Sequence, residues 1–204
     1  MKTPDSNLLT KLSAIGLLVL CGLTFASCSS SSKSEFSDSE TVVETEDDAE
    51  DDKSQRPSPP ASTTANVSGV NVTIDYSAPA VKGRTIWGEL VPYGKVDRTG
   101  ANEATVFSVD KDVLINGELL PAGQYSLFSI PTETDWTLIF NKEAEQWGAY
   151  DYKESEDALR VTVTPSMVDD FKERLEFKVS SDGTVNYHWE KLVFSFTVAP
   201  SPNS

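Results

Sequence analysis

The chain is poor in the side chains on which most enzyme chemistry depends. It has one histidine, His188, and two cysteines, Cys21 and Cys28. Metal sites rich in histidine or cysteine are excluded by this count, and histidine-based catalytic triads would all depend on one residue. His188 lies in the strand-like segment "NYHWEK", where we expect a surface or structural histidine. We therefore expect no cofactor and favour a protein that is not an enzyme.

Positive charge and long hydrophobic runs are also scarce. The chain carries 17 lysines and arginines against 32 acidic residues, for a formal net charge of -15. Nucleic-acid binding needs a basic surface that displaces counterions from phosphates, so we expect no nucleic-acid partner. The main apolar run is "AIGLLVLCGLTF" at 14–25. It is shorter than the roughly 20 residues that span a bilayer as a helix.

This apolar run has the position and flanks of a targeting signal. Two lysines precede it, and "LTFASC" follows, with small residues directly before Cys28. The segment resembles the lipobox of bacterial lipoproteins, although Phe25 is a loose match. The resemblance implies that residues 1–27 are a signal peptide and that Cys28 carries the lipid that holds the protein on a membrane of the bacterial cell envelope. A secretory peptide cut near Ala26, or an uncleaved signal anchor, is the alternative.

The segment after Cys28 has the composition of a disordered tether. Ten acidic and three basic residues lie between Ser29 and Arg56, and the sequence then becomes rich in proline and serine. Low hydrophobicity with high charge cannot offset the entropy lost on folding. We therefore predict that residues 28–66 are disordered and hold a domain away from the membrane. An acidic interaction tail is the alternative.

From Val67 onward, side chains alternate between apolar and polar with a period of two. Asn116-Gly117 and Asp182-Gly183 are typical of tight hairpin turns. Only "EAEQW" and "PSMVDDFKE" could carry a helical turn. The pattern predicts an all-β fold, a single antiparallel β-sandwich (jelly-roll-like) of about eight or nine strands over residues 67–200, with a tail at 201–204. The segments that carry the alternation include "VNVTIDYS", "ATVFSV", "DVLI", "QYSLFSI", "DWTLIFN", "LRVTVT", "LEFKV" and "LVFSFTV".

Several motifs in this part of the chain occur in the order of a known family. They are Ser77 with Pro79, Lys82 to Ile86, Leu90 to Gly94, Arg98 to Asn102, Ala122 to Phe128, Trp136 to Asn141, Trp147 with Gly148, and the closing strand "WEKLVFSFTV". In these motifs the chain is similar to the bacterial domain-of-unknown-function family 2911 over about residues 70–198. The resemblance implies an envelope protein with a β-rich fold and implies no activity. The chain departs from the family pattern at Asp97, where the family usually has an aromatic residue.

Cations gathered in two glycine-containing loops are a local exception in so acidic a chain. The loops contain Lys82, Arg84, Arg98, Asn102 and Glu103. An arginine fork binds carboxylate or phosphate with two parallel hydrogen bonds, and an asparagine both donates and accepts. We predict these five residues as a ligand-binding site for a small polar, anionic or glycan ligand. In the alternative, Arg84 or Arg98 pairs with Glu103 or Glu89 and only holds the loops together.

Two further functions stay open at this stage. Trp87, Trp136, Trp147 and Trp189 could form a platform for sugar rings. Trp136 alternates in phase with Leu138 and Phe140 and is expected in the core, whereas Trp87 and Trp147 precede glycines and could lie at a rim. A hydrolase that uses two paired carboxylates is the enzymatic alternative, but the sequence indicates no particular pair.

Overall fold

Alternating burial along the strands builds the two faces of each sheet. In the computed structural model, which describes residues 52–202, Val70, Val72 and Ile74 are buried, whereas Asn71 and Asp75 are exposed. Successive side chains of a strand point to opposite faces, so this segment covers a core on one side only. The sequence pattern of 70–77 is therefore realised as a single half-buried strand.

Within residues 52–202, ten strands form two antiparallel sheets. The strands are β1 Pro60–Val67, β2 Val70–Ser77, β3 Thr105–Val109, β4 Val113–Ile115, β5 Glu118–Leu120, β6 Gly123–Pro131, β7 Trp136–Asn141, β8 Asp157–Val163, β9 Ser166–Val179 and β10 Thr184–Pro200. The first sheet has the order β1-β2-β3-β6-β7-β8 and the second β5-β4-β10-β9. Short 3₁₀ helices occupy Lys53–Gln55 and Glu154–Glu156. Within residues 52–202, no helix has the length and apolar character required to cross a membrane.

Aromatic side chains from both sheets meet in the interior. Phe107 packs against Phe140 of its own sheet at 5.1 Å between ring centroids and against Phe196 of the other sheet at 6.2 Å. Trp136 of β7 contacts Phe194 of β10 at 5.3 Å in the same interior layer. Such edge-to-face and tilted pairs are the arrangements that aromatic rings prefer. The predicted all-β sandwich is confirmed.

The predicted start of the domain at Val67 is too late. Strand β1 begins at Pro60 and pairs with β2 from Pro60 with Ser77 to Val67 with Val70. It lies at the edge of the sheet, where small polar residues are tolerated and a proline can occupy the first position. Residues 60–66 of the predicted disordered segment are therefore strand. The signal peptide, Cys28 and the tether up to residue 51 lie outside the described residues.

The two segments that could have held helical turns do not form α-helix. "PSMVDDFKE" is largely the first part of β9, which pairs with β10 along most of its length. The register shifts on both sides of Glu190, which has a positive φ of 59°. Between the pairs on either side of Glu190, β9 contains more residues than β10, and such irregularities bend the strands. "EAEQW" lies in the connection between β7 and β8.

A long connection between β2 and β3, residues 78–104, closes one end of the sandwich and is named the crossing loop here. Its first part joins the second sheet, where the Val81 N–H donates to the Glu173 carbonyl at 2.8 Å. Its later part joins the first sheet, where Asp97 and Ser129 exchange backbone hydrogen bonds of 2.8 and 2.9 Å. The crossing loop thus spans from β9 to β6, and its backbone is held at both sheets.

The two predicted tight hairpins differ in geometry. Asn116 and Gly117 both have positive φ, 48° and 91°, as the predicted type I′ turn requires. At the β9–β10 turn only Gly183 has a positive φ, 88°, and its N–H donates to the Ser180 carbonyl. This longer turn lies against β10, because the Gly183 carbonyl accepts the Val198 N–H at 2.8 Å.

We predict that Gly183→Ala destabilises the domain much more than Gly117→Ala. An alanine Cβ at 183 would lie 2.1 Å from the Val198 carbonyl oxygen, whereas a Cβ at 117 meets nothing within 4 Å. The left-handed backbone alone costs an alanine about 1–2 kcal/mol, and the clash at 183 adds about 1–3 kcal/mol. Urea unfolding of both variants measures the difference. Equal losses of stability would show that the turn can move away from β10.

Candidate functional site

A cavity of about 270 Å³ lies where the crossing loop closes the sandwich, and it is named the end cavity here. Three of the five predicted site residues line it, Arg84, Arg98 and Asn102. Its remaining wall is partly apolar and includes Pro79, Leu90, Val91 and Trp189, and one carboxylate, Asp97, completes the lining with small residues of the loops. The structure therefore brings the first and second predicted loops together around one space.

Arg84 is fixed to the wall by its own loop. Its Nε donates to the Val81 carbonyl at 3.1 Å, and its Nη2 donates to the Ala80 carbonyl. It forms no ion pair with a carboxylate of residues 52–202. Because guanidinium has five N–H donors and these bonds use two, the remaining donors are available to a ligand.

Arg98, in the later part of the crossing loop, is also held by a backbone carbonyl. Its Nη1 donates to the Asn102 carbonyl at 2.8 Å, and the guanidinium lies 6.0 Å from the ring centre of Tyr150. The ion pair of Arg84 or Arg98 with Glu103 or Glu89 is not found, although both arginines do hold the crossing loop through backbone carbonyls. A cation held by carbonyls keeps its full charge for an incoming anion.

The loop between Arg98 and Asn102 has strained backbone. Asn102 has φ 57°, and Thr99, which is 1% exposed, has φ 54°. Asparagine tolerates this region, but for a β-branched residue it is unusual and costs on the order of 1–3 kcal/mol. Hydrogen bonds offset the cost, because Asn102 donates to the Ser58 carbonyl and Thr99 donates to the Ser129 hydroxyl. Strain of this kind is concentrated at functional sites.

Asp97 is a cavity residue that the sequence did not indicate. Asp97 pairs with buried Ser129 of β6, which lies two residues after the core residue Leu127. Ser129 and Leu127 therefore face the same side of the sheet, and the Asp97 side chain lies on this inner face as well. Its Oδ2 accepts the Thr99 N–H at 2.7 Å. Burial raises the pKa of the Asp97 carboxyl, and the Thr99 hydrogen bond and the Arg98 charge offset this only in part. A carboxylate with a raised pKa in a cleft is typical of binding and catalytic sites.

Three tryptophans lie beside the cavity and within the core. Trp189 lines the end cavity, is 2% exposed and directly precedes Glu190, where the strand register shifts. Trp87 packs edge-on against Trp136 at 5.1 Å and against Trp189 at 5.7 Å. None of these three indole N–H groups has a hydrogen-bond partner among the described residues. Trp136 and Trp189 are buried and cannot form an exposed sugar platform, whereas Trp87 is half-buried and lines a separate groove.

Glu103 and Lys82 lie away from the end cavity. Glu103 lines a groove on the outer face of the first sheet, where it pairs with Arg56 at 2.9 Å and with Lys53 at 3.2 Å. Lys82 is exposed, and its backbone N–H donates to the Glu173 carboxylate at 2.9 Å. Glu103 and Lys82 are close in sequence to the cavity residues, but the fold places them elsewhere on the domain. Trp147, 51% exposed, lies in the outer groove near Glu103.

The outer groove does not have the electrostatics of a paired-carboxylate hydrolase. Asp75 and Glu103 both line it. Partial burial would raise the pKa of Glu103, but its own backbone N–H and the hydrogen bonds from Arg56 and Lys53 outweigh this and lower the pKa to about 2. A general acid needs a raised pKa instead. Among the described residues that line the end cavity, Asp97 is the sole carboxylate.

We predict that Glu103 stabilises the attachment of residues 52–59 above about pH 4.5 and that this stabilisation is lost as the pH falls toward 2. The folded-state pKa lies below the ordinary value, so the unfolded chain takes up the proton first. Because the carboxylate is 38% exposed, solvent screening limits the effect to about 1 kcal/mol or less. Unfolding at several pH values compares wild type with Glu103→Gln. Glu145→Gln, in the same groove, is the control. A stability difference that persists undiminished at pH 2 would contradict this assignment.

Comparison with known proteins agrees with the motifs of the crossing loop. The sequence pattern of one family, described as protein of unknown function (DUF2911), matches residues 58–198. This range covers both loops of the end cavity and all ten strands except the last residues of β10. No curated protein and no solved structure matches the chain. The match extends over well more than half of the sequence, and the chain belongs to the DUF2911 family.

Proposed function

We propose that the protein is a lipid-anchored binding protein of the bacterial cell envelope and that its β-sandwich binds a small anionic ligand in the end cavity. One observation carries the proposal: Arg84 and Arg98 line the same cavity, and neither forms an ion pair with a carboxylate of residues 52–202. In a chain with a net charge of -15, two arginines beside the single carboxylate of Asp97 give this cleft a net positive charge. A bound carboxylate or phosphate would supply the missing charge.

The geometry of the cavity favours binding over catalysis. The arginines are held by backbone carbonyls, and Asn102 is fixed by the Ser58 carbonyl and the Ser77 hydroxyl. Donors that are fixed before the ligand arrives lose little entropy on binding. Within residues 52–202 no three His, Cys, Asp or Glu side chains come together as a group that could hold a metal ion. The arginine donors therefore define the chemistry of the site, because both amide hydrogens of Asn102 are already bonded to Ser58 and Ser77.

The anchoring part of the proposal rests on the sequence alone. The apolar run followed by "LTFASC" places Cys28 where bacterial lipoproteins carry their acylated residue. Each buried CH₂ of an acyl chain contributes about 0.8 kcal/mol to membrane binding, and stable attachment needs more than one chain. Residues 29–51 are rich in acids and would keep the domain in solution beside the membrane.

We predict that Cys28→Ala releases the protein from the membrane fraction of cells that express the full-length chain. The variant lacks the thiol that would be acylated, so the domain loses its anchor. Cys21→Ala is the matched control, because Cys21 lies inside the apolar run and leaves with the signal peptide. Quantitative immunoblotting of membrane and soluble fractions measures both. Retention of Cys28→Ala on the membrane would rule out lipid anchoring at this residue.

We predict that the full-length protein binds propionate or inorganic phosphate with a dissociation constant of about 1 mM or tighter. Arg98→Gln should weaken binding about tenfold or more, because hydrogen bonds to a charged group are worth about 1.5–3 kcal/mol. Isothermal titration calorimetry with each anion measures this and tells a carboxylate site from a phosphate site.

Arg160→Gln is the control for loss of an arginine elsewhere. Arg160 already pairs with Asp157 at 2.7 Å and with Glu154 at 3.3 Å, and it does not line the end cavity. Its substitution should leave anion binding unchanged. If Arg98→Gln binds the anion as tightly as wild type, or if neither these anions nor any other probe with a carboxylate binds the wild-type protein, the end cavity is not an anion site.

A further inference from the structure

The end cavity contains charges of both signs that do not neutralise each other. Asp97 and Arg98 are neighbours in sequence and both line the cavity, yet their charged groups form no ion pair. Arg98 is turned toward the Asn102 carbonyl, and Asp97 toward the Thr99 N–H. A carboxylate and two guanidinium groups are thus presented separately to one small space.

The carboxylate of Asp97 is held by backbone N–H groups of its own loop and forms no ion pair with a cation of residues 52–202. Its Oδ2 accepts the Thr99 N–H at 2.7 Å, and a backbone hydrogen bond from Arg98 also favours the charged form. A carboxylate removed from water without an ion-pair partner is costly, and proteins retain such groups where a ligand or metal compensates them. A protonated amine is the ligand group that would supply this partner.

We infer that the ligand of the end cavity is a zwitterion, with its carboxylate on Arg84 and Arg98 and its protonated amine on Asp97. The inference rests on the proposed function, because it names the ligand class of the same cavity. A simple anion would leave Asp97 unpaired and would be repelled by it, so anions alone should bind more weakly than zwitterions.

The size of the cavity restricts the zwitterion to a small molecule. Its volume of about 270 Å³ is close to the lower end of the range for ligand sites, about 300–1,000 Å³. The apolar lining by Pro79, Leu90 and Val91 offers contact to a short aliphatic side chain. A free amino acid or a dipeptide fits both the charge pattern and the volume.

The test compares matched probes on the full-length protein by isothermal titration calorimetry. Alanine, β-alanine and glycylglycine carry both charges at increasing separation, propionate carries the negative charge alone, and propylammonium carries the positive charge alone. We expect at least one zwitterion to bind about tenfold or more tightly than either singly charged probe, because each charged hydrogen bond adds to affinity.

Substitution of Asp97 assigns the preference to this residue. Asp97→Asn keeps an oxygen that accepts the Thr99 N–H, so the loop should remain folded, and a thermal unfolding scan checks this. The variant should bind the preferred zwitterion about tenfold or more weakly while propionate binding is unchanged or stronger. Asp75→Asn removes a carboxylate from the outer groove and serves as the matched control, with no change in either affinity.

The outcomes separate this inference from the proposed function. If propionate binds as tightly as every zwitterion, the ligand is a simple anion, so the zwitterion assignment fails while the anion site stands. If no probe binds, both fail. If Asp97→Asn keeps the zwitterion preference, the amine is recognised elsewhere and the role of Asp97 is overturned. Should that variant not fold, the probe comparison on the wild-type protein still decides whether the ligand is a zwitterion.

Discussion

The interior packing of aromatic rings between the two sheets is the interaction on which the rest of the structure depends. Phe107 and Phe140 from the first sheet meet Phe196 from the second, and Trp136 meets Phe194. Burying a large apolar side chain contributes about 1.5–3 kcal/mol, and an aromatic contact adds about 0.5–1.5 kcal/mol. The domain has no cysteine within residues 52–202, so this packing takes the place of covalent cross-links.

The end cavity lies where the crossing loop meets this packing, since Trp189 lines the cavity and packs through Trp87 against Trp136. The crossing loop joins the two sheets there by backbone hydrogen bonds from Val81 to Glu173 and from Asp97 to Ser129. The second of these pairings fixes Asp97 on the inner face of the sheet. Consistency between sequence and environment is the rule in folded proteins, and it is broken mainly at functional sites. The Asp97 carboxylate without an ion pair and the left-handed backbone of Thr99 are both exceptions at this position.

Much of the fold could be predicted from the sequence because alternation is strong where one face is buried. The strand at 70–77 was predicted with its observed bounds, and the Asn116-Gly117 turn was predicted with the positive φ that the structure shows. Strand β1 was missed because an edge strand of small polar residues looks like the linker before it. The first half of β9 was misread for a different reason. Its acidic and basic residues resemble a solvated helix, but pairing with β10 overrides local preference.

The basic residues of the site could be predicted from the sequence, but which acidic residue lines the cavity could not. Arg84, Arg98 and Asn102 were found because basic residues in glycine-containing loops are conspicuous in an acidic chain. Nothing in the sequence shows that Glu103 turns to the outer face while Asp97 turns inward, since Asp97 is placed by its pairing with Ser129 of β6 and Glu103 by its pairing with Trp147 in the connection between β7 and β8. Only the long-range register distinguishes the two acids. The same register makes the difference between a site with positive charge alone and one with both signs, and so it decides which class of ligand the fold selects.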